Sequence, residues 1–221
     1  MPQLFRLCTL ACLLLCAATL ANAQDVYHGC PMAGTAQGAP HKARNRDKNR
    51  YNAPTASDVD ASITVAKIVA PGDDHTRFQT TQAATLTGWV ANVMPGGHNE
   101  TCNCGNGNVK YRDTHIELAP SQLDSAKNRR IIVEVTPRLR AALLKQGVDW
   151  STANLAAKLM HQRVRITGWL FFDDDHADLS QNTAAPQAQQ ADIWRATAWE
   201  IHPITNIEVW KGNKWVTVDK L

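Results

Sequence analysis

Asp113, His115 and Glu117 alternate with Thr114, Ile116 and Leu118, and Glu200 and His202 alternate with Trp199 and Ile201. In a strand, successive side chains point to opposite faces, so each stretch sets its ionisable residues on one side and its apolar residues on the other. Two such strands side by side bring two imidazoles and three carboxylates to one wall. Groups of that kind ligate divalent metals or move protons. His115, Glu117, Glu200 and His202 are therefore the candidate catalytic residues.

Two further segments carry compatible chemistry. Residues 98–105 read His-Asn-Glu-Thr-Cys-Asn-Cys-Gly, and residues 173–176 read Asp-Asp-Asp-His. His98, Cys102, Cys104, Asp113 and His115 make a candidate metal set for zinc or another divalent cation, with Glu117 as base for a bound water. Cys-x-Cys is a less usual zinc spacing than Cys-x-x-Cys, and there is no H-E-x-x-H. A disulfide from Cys30 to Cys102 or Cys104 competes with the thiolate site, and an oxidising compartment favours the disulfide. The structural alternative for His202 is a histidine bonded to backbone near Pro203, with Glu200 facing water.

The compartment is read from the first residues. Arg6 precedes an apolar run over residues 7–20, followed by Ala21-Asn22-Ala23. This is the pattern of a secretory signal cleaved after Ala23, and the run is short for a membrane span. The expected mature chain is exported, to a periplasm or the exterior, with no stable membrane insertion. Of six cysteines, cleavage removes Cys8, Cys12 and Cys16 and leaves Cys30, Cys102 and Cys104. The formal charge of +3 is too small to demand a polyanionic partner.

Composition then divides the rest. Residues 24–56 hold few large apolar side chains and a basic run over 41–50, and are expected to form a flexible basic arm. Residues 57–82 form a helical lead-in, opened by Ser57-Asp58-Val59-Asp60 and closed by Pro71-Gly72. From residue 83 strand signals dominate: about 86–93, 109–118, 131–135, 164–172 and 193–201, with a hairpin over 209–216 turning at Gly212-Asn213. Between the third and fourth strands come two helices, one capped by Thr136-Pro137 and one over residues 151–161. Residues 180–192 are a Gln/Ala-rich loop. Thr-Gly-Trp recurs at 87–89 and 167–169, and its glycines mark strand bends.

The order β-β-β-α-β-β, with a glycine in strands one and four and long loops after each, resembles an OB-fold over roughly residues 83–202. The resemblance implies a five-stranded barrel, mainly β with a helical insert, plus the C-terminal hairpin. It also implies a site on the face of strands two and three, between the first-to-second and fourth-to-fifth loops. Those are the positions of the ionisable segments. The leading functional expectation is a binding module for nucleic acid or another anionic ligand, using Arg163, Arg165, Arg195 and Trp169 with the basic arm. The alternatives are a metal-dependent hydrolase of phosphodiesterase or nuclease type built on the His/Glu cluster, and a structural envelope-associated domain.

Overall fold

The computed structural model describes residues 26–124, 126–184 and 192–221. The expected signal segment and most of the Gln/Ala-rich loop lie outside them. Among the described residues, no helix is long and apolar enough to cross a membrane. The N-terminal part holds a two-residue β pair, β1 (Val26–Tyr27) and β2 (Cys30–Pro31), then α1 (Ala39–Lys48) and α2 (Val65–Val69). The rest runs β3 (Ala83–Pro95), β4 (Thr114–Ala119), β5 (Ile131–Val135), α3 (Pro137–Leu144), α4 (Thr152–Leu159), β6 (Arg163–Phe172), β7 (Trp199–Lys211) and β8 (Lys214–Thr217).

Five of these strands close into a mixed barrel. The sheet order is β5-β4-β3-β6-β7-β8, and an additional pairing of β5 with β7 joins the ends. The β5–β7 pairing is parallel; the other barrel pairs are antiparallel. This is an OB-fold-like barrel with a C-terminal hairpin, as the strand pattern implies. Alternation fills its interior: Leu86, Ile116, Leu118, Val133, Ile166, Ile201 and Ile204 are buried in one apolar cluster. Leu155 and Leu159 of α4 join them. Thr136 and Ser151 cap α3 and α4 by accepting from Leu139 N and Asn154 N.

The two Thr-Gly-Trp glycines sit where strands press together. Gly168 lies between two register shifts of the β6–β7 pairing. A Cβ there would stand 2.3 Å from the Pro203 carbonyl oxygen and 2.5 Å from Ile201 Cγ2. The hairpin turns at Gly212 and Asn213, both with positive φ, as a two-residue hairpin turn requires.

Three sequence expectations are corrected. The basic arm is not loose: its run forms α1, and Asn45, Lys48 and Asn49 are buried. The lead-in is helical only over Val65–Val69, because Asp58 and Asp60 turn their carboxylates onto Thr55 and Ser62 backbone N–H groups and hold local turns instead. The fifth strand begins at Trp199, not near residue 193, and continues unbroken into the hairpin. Before it, Thr197 Oγ1 and Ala198 N donate to the buried Asp74 carboxylate at 2.5 and 3.0 Å, which takes them out of any sheet ladder.

The crowding at Gly168 makes a direct forecast. Gly168→Ala should lower unfolding stability by about 1–3 kcal/mol or more, as overpacking does. Gly107→Ala, with open space around its Cβ position, should change little. Urea denaturation of the two variants checks this.

Candidate functional site

Register builds the site. His115 of β4 and Glu134 of β5 are directly paired, and Ile132 and Val133 of β5 pair with Glu200 and Ile201 of β7. Continuing that register by one residue sets Glu134 beside His202. The three side chains therefore form a row across adjacent strands. His115 Nδ1 lies 3.1 Å from Glu134 Oε1, and His202 Nδ1 lies 3.3 Å from Glu134 Oε2. His202 Nδ1 is also 3.5 Å from Glu200 Oε2.

Loops bring the remaining groups. The loop from β3 to β4 folds through a 3-10 turn at Thr101–Asn103 and supplies Glu100, Cys102 and Asn103. Asn103 Nδ2 donates to Asp113 Oδ2 at 2.6 Å, and the Cys102 thiol lies 3.3 Å from Glu100 Oε2 and 3.8 Å from Asp113 Oδ2. The loop from β6 to β7 supplies Asp173, His176 and Arg195. Arg195 Nη1 is 3.0 Å from Asp173 Oδ2 and 2.8 Å from Glu200 Oε1, and His176 Nδ1 is 2.6 Å from Asp173 Oδ2. From α1, Lys48 Nζ reaches to 3.8 Å from Glu100 Oε2. A cleft of about 730 Å³ opens between the two loops over β4 and β5, lined by Lys48, Glu100, His115, Glu134, Trp194 and Arg195 among others.

α1 has no apolar face, so polar links hold it. Asn45 Nδ2 donates to Ala33 O and Thr101 Oγ1, and Asn49 Nδ2 to Met32 O and Cys102 O. Arg44 pairs with Asp174 and Asp175. The Cys30–Cys104 disulfide, 74 residues apart in sequence, ties the segment before α1 to the β3–β4 loop.

The electrostatics follow from too many acids in too little water. Lys48 and Arg195 offset only part of the charge. Burial, with Glu100 and Glu134 nearby, pushes the Asp113 carboxyl well above its usual range. Burial, with Glu100 and Glu200, does the same to Glu134. Glu200 is pushed up to about 7 by burial and Asp173. Burial would also raise Asp173, but Lys48, the His176 hydrogen bond and Arg195 outweigh it and hold the carboxyl well below its usual range. Burial and Lys48 push His202 down to about 3, and burial lowers His115. Burial thus works against charge on Glu134 and on both histidines that contact it.

Several ligand atoms converge without hydrogen-bond partners. Asp113 Oδ1, His115 Nε2 and His202 Nε2 are buried and unpaired, while Glu134 Oε2 and Glu200 Oε2 are buried with their His202 Nδ1 contacts at 3.3 and 3.5 Å. Asp113, Glu134 and His202 offer one ligand atom each, all within 4.8 Å of one another, as do Glu100, Cys102 and Asp113.

Of the residues singled out from sequence, Asp113, His115, Glu200, His202 and Cys102 come together. Glu117 lines the same cleft but is engaged by Arg130 Nη1 at 2.5 Å. His98 stands exposed at the mouth. Cys104 is bonded to Cys30, so its sulfur is not a metal thiolate. Three of the anion-binding candidates are elsewhere: Arg165 is bidentate to Glu208 at 2.7 and 2.8 Å. Arg163 stacks over Trp210 and Trp215. Trp169 donates Nε1–H to Asn52 O and packs under Arg50. Arg195 alone of that set reaches the cleft.

Sequence reasoning passed over Glu134, took Lys48 only as one cation of the basic run, and took Trp194 only as one of four tryptophans that pack or stack bases. Glu134 carried a signal, being the one charge inside the apolar run Ile131–Val135. Lys48 carried none. Comparison with protein-family models, curated proteins and solved structures finds no match.

The His176–Asp173 contact sets a pH dependence. The Asp173 hydrogen bond raises His176 above its ordinary 6.5. A raised folded value means its stabilisation is complete below 6.5 and is lost as pH climbs through the folded value. The melting-temperature gap between wild type and His176→Gln should therefore be widest at acid pH and shrink as the solution turns alkaline. Thermal melts across that range check it.

Proposed function

We propose that the protein is a divalent-cation-dependent hydrolase whose metal centre is Asp113, Glu134 and His202, with Glu134 lining the cleft, Asp113 and His202 fully buried, and His115 as proton acceptor. One observation carries this reading: the ligand atoms of those three buried residues lie within 4.8 Å of one another. Asp113 Oδ1 and His202 Nε2 also have no hydrogen-bond partner, and His202 Nδ1 comes no nearer to Glu134 Oε2 than 3.3 Å. Native interiors pair the large majority of buried side-chain polar atoms, and a cation accounts for a convergent set left unpaired. Two carboxylates and an imidazole suit zinc or a similar divalent ion and leave a coordination position open. A bound cation would favour the ionised forms of Asp113 and Glu134.

When bound, such an ion lowers the pKa of a water to about 7 and polarises the bond under attack. The chain's own residues do the rest. Glu134 Oε1 holds His115 through Nδ1, which leaves the unpaired Nε2 to accept a proton. Burial keeps this imidazole neutral, the form a base needs. In the hydrolysis the water oxygen bonds to the electrophilic centre and its proton passes to His115. The ester bond breaks, and the leaving oxygen takes a proton from His176, whose protonated form the Asp173 hydrogen bond favours.

A nucleic-acid module using the basic arm and the arginines of β6 has less support. Arg44 and Arg165 already have acidic partners. Export to an oxidising compartment is supported by the Cys30–Cys104 disulfide.

Metal analysis after equilibration with zinc should find one ion per chain, and His202→Ala and Asp113→Asn should each lose it. Zinc-dependent hydrolysis of p-nitrophenyl esters of acetate and phosphate should fall at least about a hundredfold in His115→Ala, the scale of a lost general base, with metal retained. Absence of bound metal in wild type, or its retention in both ligand variants, overturns the reading.

A further inference from the structure

Beside the proposed metal ligands the cleft carries an unsatisfied cation and an aromatic wall, and neither has a role in water activation. Arg195 is fully buried. Its Nε donates to Thr197 O at 2.7 Å, and its Nη1 is shared by Asp173 and Glu200. Its Nη2 is buried with no partner, although the residue lines the cleft. A buried donor left unpaired costs about 1–3 kcal/mol, so the site favours a ligand that brings an acceptor. Arg195 and His202 approach opposite oxygens of one Glu200 carboxylate, so the open donor stands one side chain away from the metal triad. Lys48 lines the same cavity. The anion that fits between a divalent cation, a guanidinium and an ammonium is a phosphate.

Trp194 supplies the second element. Its ring lies 5.6 Å from the His115 ring, 6.0 Å from the His176 ring and 5.4 Å from the Arg195 guanidinium. It is half-buried and lines the cleft. Contacts with three neighbours fix the indole and leave part of it available for a flat group to stack on. The cavity of about 730 Å³ is within the usual range for a small-molecule site, about 300–1,000 Å³.

We propose that the cleft takes a nucleotide-class phosphoester, with its phosphate between Arg195 Nη2, Lys48 and the metal ligands and its base stacked on Trp194. The assignment rests on the hydrolase reading of the same cleft and names its substrate class. It does not use the arginines of β6.

The test compares the binding of thymidine 5′-phosphate, ribose 5-phosphate and inorganic phosphate to the full chain by calorimetry, with and without zinc, and with metal content measured on the same samples. Thymidine 5′-phosphate should bind at least about tenfold tighter than the other two, the scale of one base–aromatic stack. Trp194→Ala should erase that preference and leave inorganic phosphate unchanged. Trp194→Phe should keep most of it, which separates stacking from a folding defect. Lys48→Met should weaken all three phosphates together. Equal affinity for thymidine 5′-phosphate and ribose 5-phosphate in wild type, or a preference that survives Trp194→Ala, overturns the proposal. Because the preference comes from Trp194, it is expected with or without zinc. A protein that holds metal but does not discriminate therefore sinks this inference alone. One that discriminates but holds no metal sinks the metal reading alone.

Discussion

The parallel pairing of β5 with β7 closes the barrel, and it is short: Ile132 with Glu200 and Val133 with Ile201. Its consequences are large. Without it β5 is the edge of an open sheet, and His115 and His202 belong to strands at separate places in the order. With it, the antiparallel β4–β5 register and the parallel β5–β7 register share Glu134, and both imidazoles converge on one carboxyl group. The inward-facing partners of the same residues, Ile116, Val133 and Ile201, are fully buried in the core. Burial of that apolar face, at about 25 cal/mol per Å², holds the register, and through strand alternation the register holds the site.

A row of acids fixed in this way faces an electrostatic problem. Asp113, Glu134, Glu200, Asp173 and Glu100 stand within reach of one another with little water between them, and two permanent cations serve them. Charge goes where partners are. Asp173 has Arg195, His176 and Lys48 and is held well below the usual carboxylate range, whereas Asp113 and Glu134 are pushed well above it. Burial thus works against the charged form of these two acids, and a bound divalent cation would favour it. Lys48 comes from outside the barrel, on a helix with no apolar face. Amide side chains, the Arg44 ion pairs and the Cys30–Cys104 link hold it in place. Closing a loop of that length by a disulfide is worth about 4 kcal/mol in the chain-entropy account, a large share of what keeps so polar a segment attached.

Much of the barrel was legible because its strands obey the period of two and end at Gly and Pro. The alternation around His115 and His202 was enough to place both on one wall. Other parts were illegible for physical reasons. Glu134 sits in a strand that reads as wholly buried, and its partner residues are distant in sequence. α1 is held by Asn45, Asn49 and a covalent bond, so a reading based on apolar periodicity finds no reason for it to pack. Asp58 and Asp60 look like a helix start, yet each satisfies a nearby N–H and ends the helix before it begins. Arg163 and Arg165 share a face, as alternation requires, but spacing could not show that Trp210 and Glu208 of β7 and Trp215 of β8 already occupy them.

What matters most is whether the row across β4, β5 and β7 is a cation site. Anomalous diffraction at the zinc edge, from crystals grown with zinc, tests this most directly. The account predicts a single strong peak about 2.0–2.2 Å from a nitrogen of His202 and from carboxylate oxygens of Glu134 and Asp113. A peak confined to the exposed mouth, at His98 or the Asp174–Asp175 pair, with none at the row would contradict it.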